Sequence, residues 1–262
     1  MYDAFSADYD RFVNWPARLA AELPFIEGQL QAAGGQSHGP AQVLDTACGT
    51  GMHAIALAQK GYAAAGADLS AGMIERARAN AAAAGAPLRF EVAGFGELAQ
   101  VFGQRAFDAL VCLGNSLPHL LAPADLAAAL DDFAACLRPG GLLLIQNRNF
   151  DAVLARRERW MEPQAHREGE AEWLFLRFYD FVPDGLLTFN IVTLRRGEAG
   201  AWAQQVTATR LRPLRQADLL AALGTASFVD LTCYGDMAGA PFDHETSGNL
   251  VVAAKLPHEP RG

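Results

Sequence analysis

The chain has 262 residues, 51% of them hydrophobic, and a formal net charge of -8. That length and apolar content can bury a large core and predict one domain carrying an insertion. The acidic balance, with lysine only at Lys60 and Lys255 and no basic patch, argues against nucleic acid or an anionic membrane surface as the main partner.

From the amino terminus, Phe5, Tyr9, Phe12, Trp15, Leu19, Leu23 and Ile26 recur at helical spacing within residues 2–32. They predict two amphipathic helices, broken near Pro16 and Pro24. The pair either packs as plain architecture or closes as a lid with Tyr9 and Arg18 turned inward. The glycine-rich stretch 33–40 reads as a loop into the first strand.

Val43-Leu44-Asp45 then reads as a short buried strand, Thr46-Ala47-Cys48-Gly49-Thr50-Gly51 as a tight turn, and Met52 onward as a helix. Glycines at 49 and 51 let the backbone turn sharply and approach a ligand, and the helix start offers unpaired N–H groups and a positive dipole end. Gly49-x-Gly51-x-x-Ala54 also satisfies a loose dinucleotide fingerprint. Asp45 breaks the tie. A pyrophosphate would be repelled by that carboxylate, whereas the sulfonium and ammonium groups of S-adenosyl-L-methionine would be attracted.

The helix is expected to end at Lys60-Gly61, followed by a strand from Ala63 to Ala67 that stops at Asp68. Asp68 lies where doubly wound folds place a carboxylate against the ribose hydroxyls. Ser70 reads as the N-cap of a helix over 71–84. Further strands are expected at Leu88–Val92, Ala109–Cys112 and Leu142–Gln146, with a helix from Asp125 to Leu137 before the last. Phe95 is placed to flank an adenine, and the polar loop from Leu113 to His119 follows a strand end, where ligands bind in such sheets. The β-α alternation predicts an α/β fold with a doubly wound, mostly parallel sheet.

Three strands are then expected at Trp173–Val182, Leu186–Arg195 and Trp202–Arg212, forming a small inserted antiparallel layer. Arg177 and Tyr179 share one face of the first of these by the two-residue period. A helix near Ala217–Leu223 and strands near Phe228–Cys233 and Asn249–Leu256 complete a seven-stranded sheet. The expected division is a helical lid and loop over 1–40, a cofactor-binding core over 41–150, the antiparallel layer over 151–212 and the end of the core sheet over 213–262.

Cys48, Cys112, Cys136 and Cys233 have neither metal-knuckle nor redox-pair spacing and read as reduced, buried thiols. The amino terminus has no basic region followed by an apolar run, and no apolar run approaches the ~20 residues of a membrane helix. A cytoplasmic protein is expected.

Four stretches carry a likeness: Leu44 to Gly51, Asp68-Leu69-Ser70, Cys112 to His119, and Arg138 to Asp151. Through them the chain resembles the class I S-adenosylmethionine-dependent methyltransferases, and within those the glycine/sarcosine N-methyltransferase branch. The resemblance implies a Rossmann-like methyltransferase fold in which Asp45, Ala47, Gly49 and Gly51 line the methionine moiety and Asp68 binds the ribose. It places Leu69, Gly94, Phe95, Leu113 and His119 near the cofactor and Asn115 facing the acceptor. Arg18 falls where the family has an arginine for the cofactor carboxylate, and Arg148 matches the arginine that holds the amino-acid substrate's carboxylate. Gly94 departs from the usual Asp or Asn, leaving the adenine edge to backbone or to Glu97. The animal enzymes' longer N-terminal extension has no counterpart here, so a homo-oligomer is possible but their arrangement is not assumed.

Two readings of Arg148 remain open: a grip on a substrate carboxylate, or a structural role pairing with Asp151 or a strand-end carbonyl. The pocket offers Asn115, His119 and either Tyr179 or Tyr234 rather than an obvious triad. An amine acceptor needs no strong base, while His119 is a candidate base for a hydroxyl. The expected function is N-methylation of a small amine- and carboxylate-bearing metabolite. Methylation of another small molecule, a non-catalytic cofactor-binding module, or an NAD-linked oxidoreductase are the alternatives, the last disfavoured by Asp45.

Overall fold

The computed structural model describes residues 2–34, 39–197 and 200–258; the side chain of Phe5, and residues 35–38 of the predicted loop, lie outside the described residues. Two helices come first, α1 (Tyr2–Phe12) and α2 (Trp15–Ala33). Asn14 caps α2 by accepting from the Ala17 N–H at 3.2 Å, and Pro16 sits in the first turn, where its missing N–H is no loss. The predicted break at Pro24 does not occur. Pro24 lies inside a continuous helix whose Trp15, Leu23, Ile26 and Leu30 are buried. Burying four large apolar side chains, about 1.5–3 kcal/mol each, outweighs the roughly 3 kcal/mol that an interior proline costs.

Strands and helices then alternate: β1 (Gln42–Asp45), α3 (Met52–Gln59), β2 (Ala63–Asp68), α4 (Ala71–Ala83), β3 (Arg89–Val92), α5 (Leu98–Phe102), β4 (Phe107–Cys112), α6 (Pro123–Cys136) and β5 (Leu137–Arg148). β5 starts directly from α6, earlier than expected. The stretch from Arg138 to Gly141 belongs to the strand, and its extra residues appear as a register shift between Phe107↔Leu137 and Ala109↔Leu142. After β5 come α7 (Phe150–Arg156), β6 (Gln164–Glu168), β7 (Ala171–Phe181), β8 (Leu187–Arg196), β9 (Trp202–Leu211), α8 (Gln216–Thr225), β10 (Val229–Tyr234) and β11 (Asn249–Lys255).

The main sheet has seven strands in the order β10-β11-β5-β4-β1-β2-β3, all parallel except β11, which runs antiparallel to both β5 and β10. Helices cover both faces. Leu110, Phe133 and Ile145 pack on one side, and Val43, Ile74 and Leu144 on the other. Strand order reverses between β1 and β4, so a crevice opens beyond their carboxyl ends, where ligands bind in sheets of this kind.

A second, four-stranded antiparallel sheet has the order β6-β7-β8-β9. Its first strand was not expected from the sequence, because Gln164 to Glu168 is nearly all polar and lies at an edge with no apolar alternation. Along β7 the two-residue period sets Trp173, Phe175, Arg177 and Tyr179 on one face, and the three aromatics among them are buried. This sheet is tied to the β4 loop by the Arg212 N–H, which donates to the Pro118 carbonyl at 2.8 Å, and to α1 by Arg11 and Glu168 at 2.8 Å.

Cys48, Cys112 and Cys136 are buried, Cys233 is half-buried, and all four are free thiols. Burial pushes the Cys112 and Cys136 thiols up to about 12, so they are inert packing groups. Among the described residues no helix is long and apolar enough to cross a membrane, and no group of three or more His, Cys, Asp or Glu could hold a metal ion.

Candidate active site

The turn after β1 is held from both sides. The Thr46 N–H donates to the Val111 carbonyl of β4 at 2.9 Å, and the Cys48 N–H to the Ala67 carbonyl of β2 at 2.8 Å. Gly49 and Gly51 both take positive φ, +53° and +82°. A Cβ at Gly51 would lie 2.8 Å from Phe90 Cζ and 2.9 Å from Ala77 Cβ, so this position closes the turn against α4 and β3. A Cβ at Gly49 would meet only the Tyr9 ring, at 3.5 Å. Asp68 braces the turn: its Oδ2 accepts from the Gly49 N–H and its Oδ1 from the Ser70 N–H, each at 2.9 Å. Ser70 caps α4 as expected, accepting from the Met73 N–H at 3.2 Å.

Beyond these strand ends lies a cavity of about 380 Å³. Ala47, Gly49, Asp68 and Leu69 line it from the first two βα turns, Gly94 and Phe95 from the turn after β3, and Leu113 and His119 from the loop after β4. Leu69 is 77% exposed at its rim. Phe95 is fixed edge-on against Phe133, with ring centroids 5.4 Å apart. Glu97, the alternative reader of an adenine edge, has Oε2 occupied by the Gly94 N–H at 2.9 Å. Tyr9, Met73, Ser116 and Thr209 also line the cavity. Of these the sequence pointed to Tyr9 and, within the polar loop after β4, to Ser116; Thr209 arrives from the second sheet, and no local signal marks it. A larger hollow of about 680 Å³ lies around the opposite, amino ends of β2 and β3, where sheets of this kind do not bind ligands.

Five of the expected site residues stand outside the cavity wall. Gly51 is in the core. Among the described residues the Asp45 carboxylate, 2% exposed, accepts one hydrogen bond, from the Ala47 N–H at 3.4 Å, and forms no ion pair, although the His53 and Arg18 charges lie near enough to act on it. Burial pushes its pKa up to about 6. Arg18 pairs with Glu22 at 3.0 Å, stacks 5.3 Å from the Trp15 ring, and reaches to 3.8 Å from the position of a Gly114 Cβ. Asn115 adopts φ +67° and accepts at Oδ1 from the Arg148 N–H at 3.0 Å, leaving its amide N–H groups as donors. Arg148 reaches Glu158 through Nη2 at 3.2 Å, while its Nε is buried with no partner. The alternative pairing with Asp151 does not form. Asp151, in the first turn of α7, faces the start of α8, where Arg215 Nε and the Gln216 N–H hold it at 2.7 and 2.9 Å.

Tyr179 is buried against Phe150 and Phe189, and burial pushes its phenol up to about 12. Tyr234 is turned away from the cavity onto α2, 5.0 Å from the Phe25 ring. His119 is lowered by burial to about 4, so its imidazole is neutral near pH 7.

Asp10 carries no sequence signal and fastens α1 over the turn. Its carboxylate accepts from Thr50 Oγ1 at 2.6 Å, Trp15 Nε1 and Arg76 Nε at 2.9 Å, and Asn80 Nδ2 at 3.2 Å. Burial alone would raise its pKa, but these four donors together hold it below the ordinary value. Asp10→Ala is therefore expected to free α1. Limited proteolysis within residues 2–14 should accelerate at least tenfold, and S-adenosylhomocysteine should bind several-fold more weakly.

A buried carboxylate with no ion pair among the described residues, a second carboxylate at the cavity wall, and positive-φ glycines between them suit a cationic ligand and disfavour a pyrophosphate. The residues present fit S-adenosylmethionine, and with this strand order they define a class I S-adenosylmethionine-dependent methyltransferase. Residues 43–141 match the family model described as a methyltransferase domain. Over 257 residues the chain is 31% identical to a glycine/sarcosine N-methyltransferase of Aphanothece halophytica, covering 97% of this chain and 89% of that protein. Over 151 residues it is 38% identical to a glycine/sarcosine N-methyltransferase of Parasynechococcus marenigrum, covering 57% of this chain and 51% of that protein. An S-adenosylmethionine-dependent methyltransferase from Clostridium acetobutylicum shares the fold, with a TM-score of 0.75 at 18% identity over 98% of this chain and 99% of that one. The chain belongs to the glycine/sarcosine N-methyltransferase family.

Proposed function

We propose that the protein methylates the amine nitrogen of a small carboxylate-bearing metabolite of the glycine or sarcosine kind. The observation that carries this is Arg148, whose Nε is buried without a partner at the end of β5, next to the loop after β4. A guanidinium with unused donors is suited to a carboxylate. The relatives' names support the same acceptor class.

Asp45 and Asp68 would hold the cofactor, with Ala47 and Gly49 lining it, Leu69 and Phe95 flanking its adenine, and Arg18 close enough for its carboxylate. Bound there, S-adenosylmethionine supplies a methyl group activated by its sulfonium. Alignment and exclusion of water do most of the rest, and Tyr9 on α1 helps close the cavity. An amine that arrives deprotonated needs no base. With its pKa near 4, His119 is a poor base for a hydroxyl, which favours a nitrogen acceptor and a hydrogen-bonding role for the imidazole. The acidic composition, the inert thiols and the small cavity support a cytoplasmic enzyme acting on free metabolites rather than on nucleic acid.

Calorimetric titration with S-adenosylhomocysteine, then with glycine, sarcosine and dimethylglycine added, tests the reading. Arg148→Lys is expected to raise KM for a carboxylated acceptor at least tenfold while S-adenosylhomocysteine affinity holds. If turnover of an acceptor lacking a carboxylate falls equally, Arg148 does not grip the acid.

A further inference from the structure

A second chamber, about 420 Å³, lies between the α1–α2 junction and the antiparallel sheet. Phe12, Asn14 and Arg18 line it from the helices, and Gln164 and Arg177 from β6 and β7. It adjoins the first cavity near Arg18, which lines the chamber and reaches toward Gly114 in the cavity wall.

Arg177 is out of character with its surroundings. It shares its strand face with Trp173, Phe175 and Tyr179, and its guanidinium lies 4.8 Å above the Phe12 ring. Its Nε is buried and unpartnered, and it forms no ion pair among the described residues. Burial, and the Arg148 charge alongside, pull its pKa below the ordinary range. A cation placed among aromatics with no counter-ion is costly. Gln164 Oε1, in the same chamber, is also buried with no partner. It can take an N–H or O–H from a ligand.

We propose that Arg177 binds a second anionic group of the methyl acceptor in this chamber, so that amines with two anionic groups, amino dicarboxylates or phosphorylated amino acids, are preferred over glycine. The inference rests on the reading of the acceptor as a carboxylated amine. Arg148, partly satisfied by Glu158, takes one acid group, and Arg177 takes the other.

The test uses the full chain saturated with S-adenosylhomocysteine, titrated with glycine, sarcosine, aspartate and O-phosphoserine, alongside methyl-transfer assays on the same four. Aspartate or phosphoserine should bind at least tenfold tighter than glycine, and Arg177→Gln should reduce that ratio at least tenfold. Whichever of the two binds tighter identifies the anionic group as carboxylate or phosphate. Arg177→Met should raise Tm, because it removes a half-buried charge that has no ion pair among the described residues, with S-adenosylhomocysteine affinity kept as the folding control. A fall in Tm would make Arg177 a structural cation and overturn the proposal. So would glycine as the tightest ligand, or a ratio indifferent to Arg177→Gln. Transfer to glycine and sarcosine with no preference for the doubly anionic acceptors sinks this inference alone. Arg177-dependent binding with no transfer to any of the four amines sinks the carboxylated-amine reading of the acceptor while leaving the anion site standing.

Discussion

Asp45→Asn is expected to stabilise the cofactor-free protein and to cripple cofactor binding at the same time. Asp45 is buried, makes one long hydrogen bond, and has its pKa pushed up to about 6. An acid whose folded pKa lies above its unfolded value binds more protons folded than unfolded. The stability it confers in acid is therefore lost as pH rises from about 4 to about 6. At pH 7 the ionised group costs on the order of 2–3 kcal/mol. Asparagine resembles the protonated acid in shape and charge, so the variant should melt several degrees higher than wild type at pH 7. The ligand tells the opposite story. A cationic cofactor recovers that cost when it binds the carboxylate, and removing one partner of a desolvated charge pair costs about 2–5 kcal/mol, thirtyfold to several thousandfold in Kd. Wild-type affinity for S-adenosylhomocysteine, through its ammonium, should weaken as pH falls through 6, and the variant's should stay flat. Equal Tm values with unchanged affinity would show that Asp45 faces no cation.

What could be read in advance follows the range of the physics. The Asp45–Gly51 turn, Asp68 and the Ser70 cap were legible because strand, turn and cap chemistry act within a few residues. The core strands were legible from their apolar runs. Asp10 was not, because its donors Thr50, Arg76 and Asn80 arrive from 40 to 70 residues away and an acid in a helical stretch reads as a solvated charge. Partner choice failed in the same way. Asp151 was the nearest acid along the chain to Arg148, yet the direction of α7 gives it to Arg215 and leaves Glu158 to Arg148. Pro24 misled for a different reason, since an apolar helix face buried against the sheet overrides a single lost hydrogen bond.

Gly49→Ala and Gly51→Ala should fail in opposite ways, although the two glycines sit two residues apart in one motif. At Gly51 the new methyl would come within 3.0 Å of Phe90 and Ala77, both in the core, at a φ of +82°. The left-handed backbone costs about 1–2 kcal/mol and overpacking about 1–3 more, which for a chain of this size lowers Tm by roughly 5–15 °C. At Gly49 the backbone penalty is similar, but the methyl has ordinary van der Waals space beside Tyr9 and stands at the cavity. Its Tm loss should be less than half that of Gly51→Ala, while S-adenosylhomocysteine binding falls at least tenfold, because the methyl sits on the surface the cofactor would cover and presses on the ring that closes it. Phe90→Leu should recover part of the stability of Gly51→Ala and none of the affinity of Gly49→Ala, because only the first methyl strikes that ring. Equal Tm losses for the two alanine variants would mean that both glycines serve the turn alone.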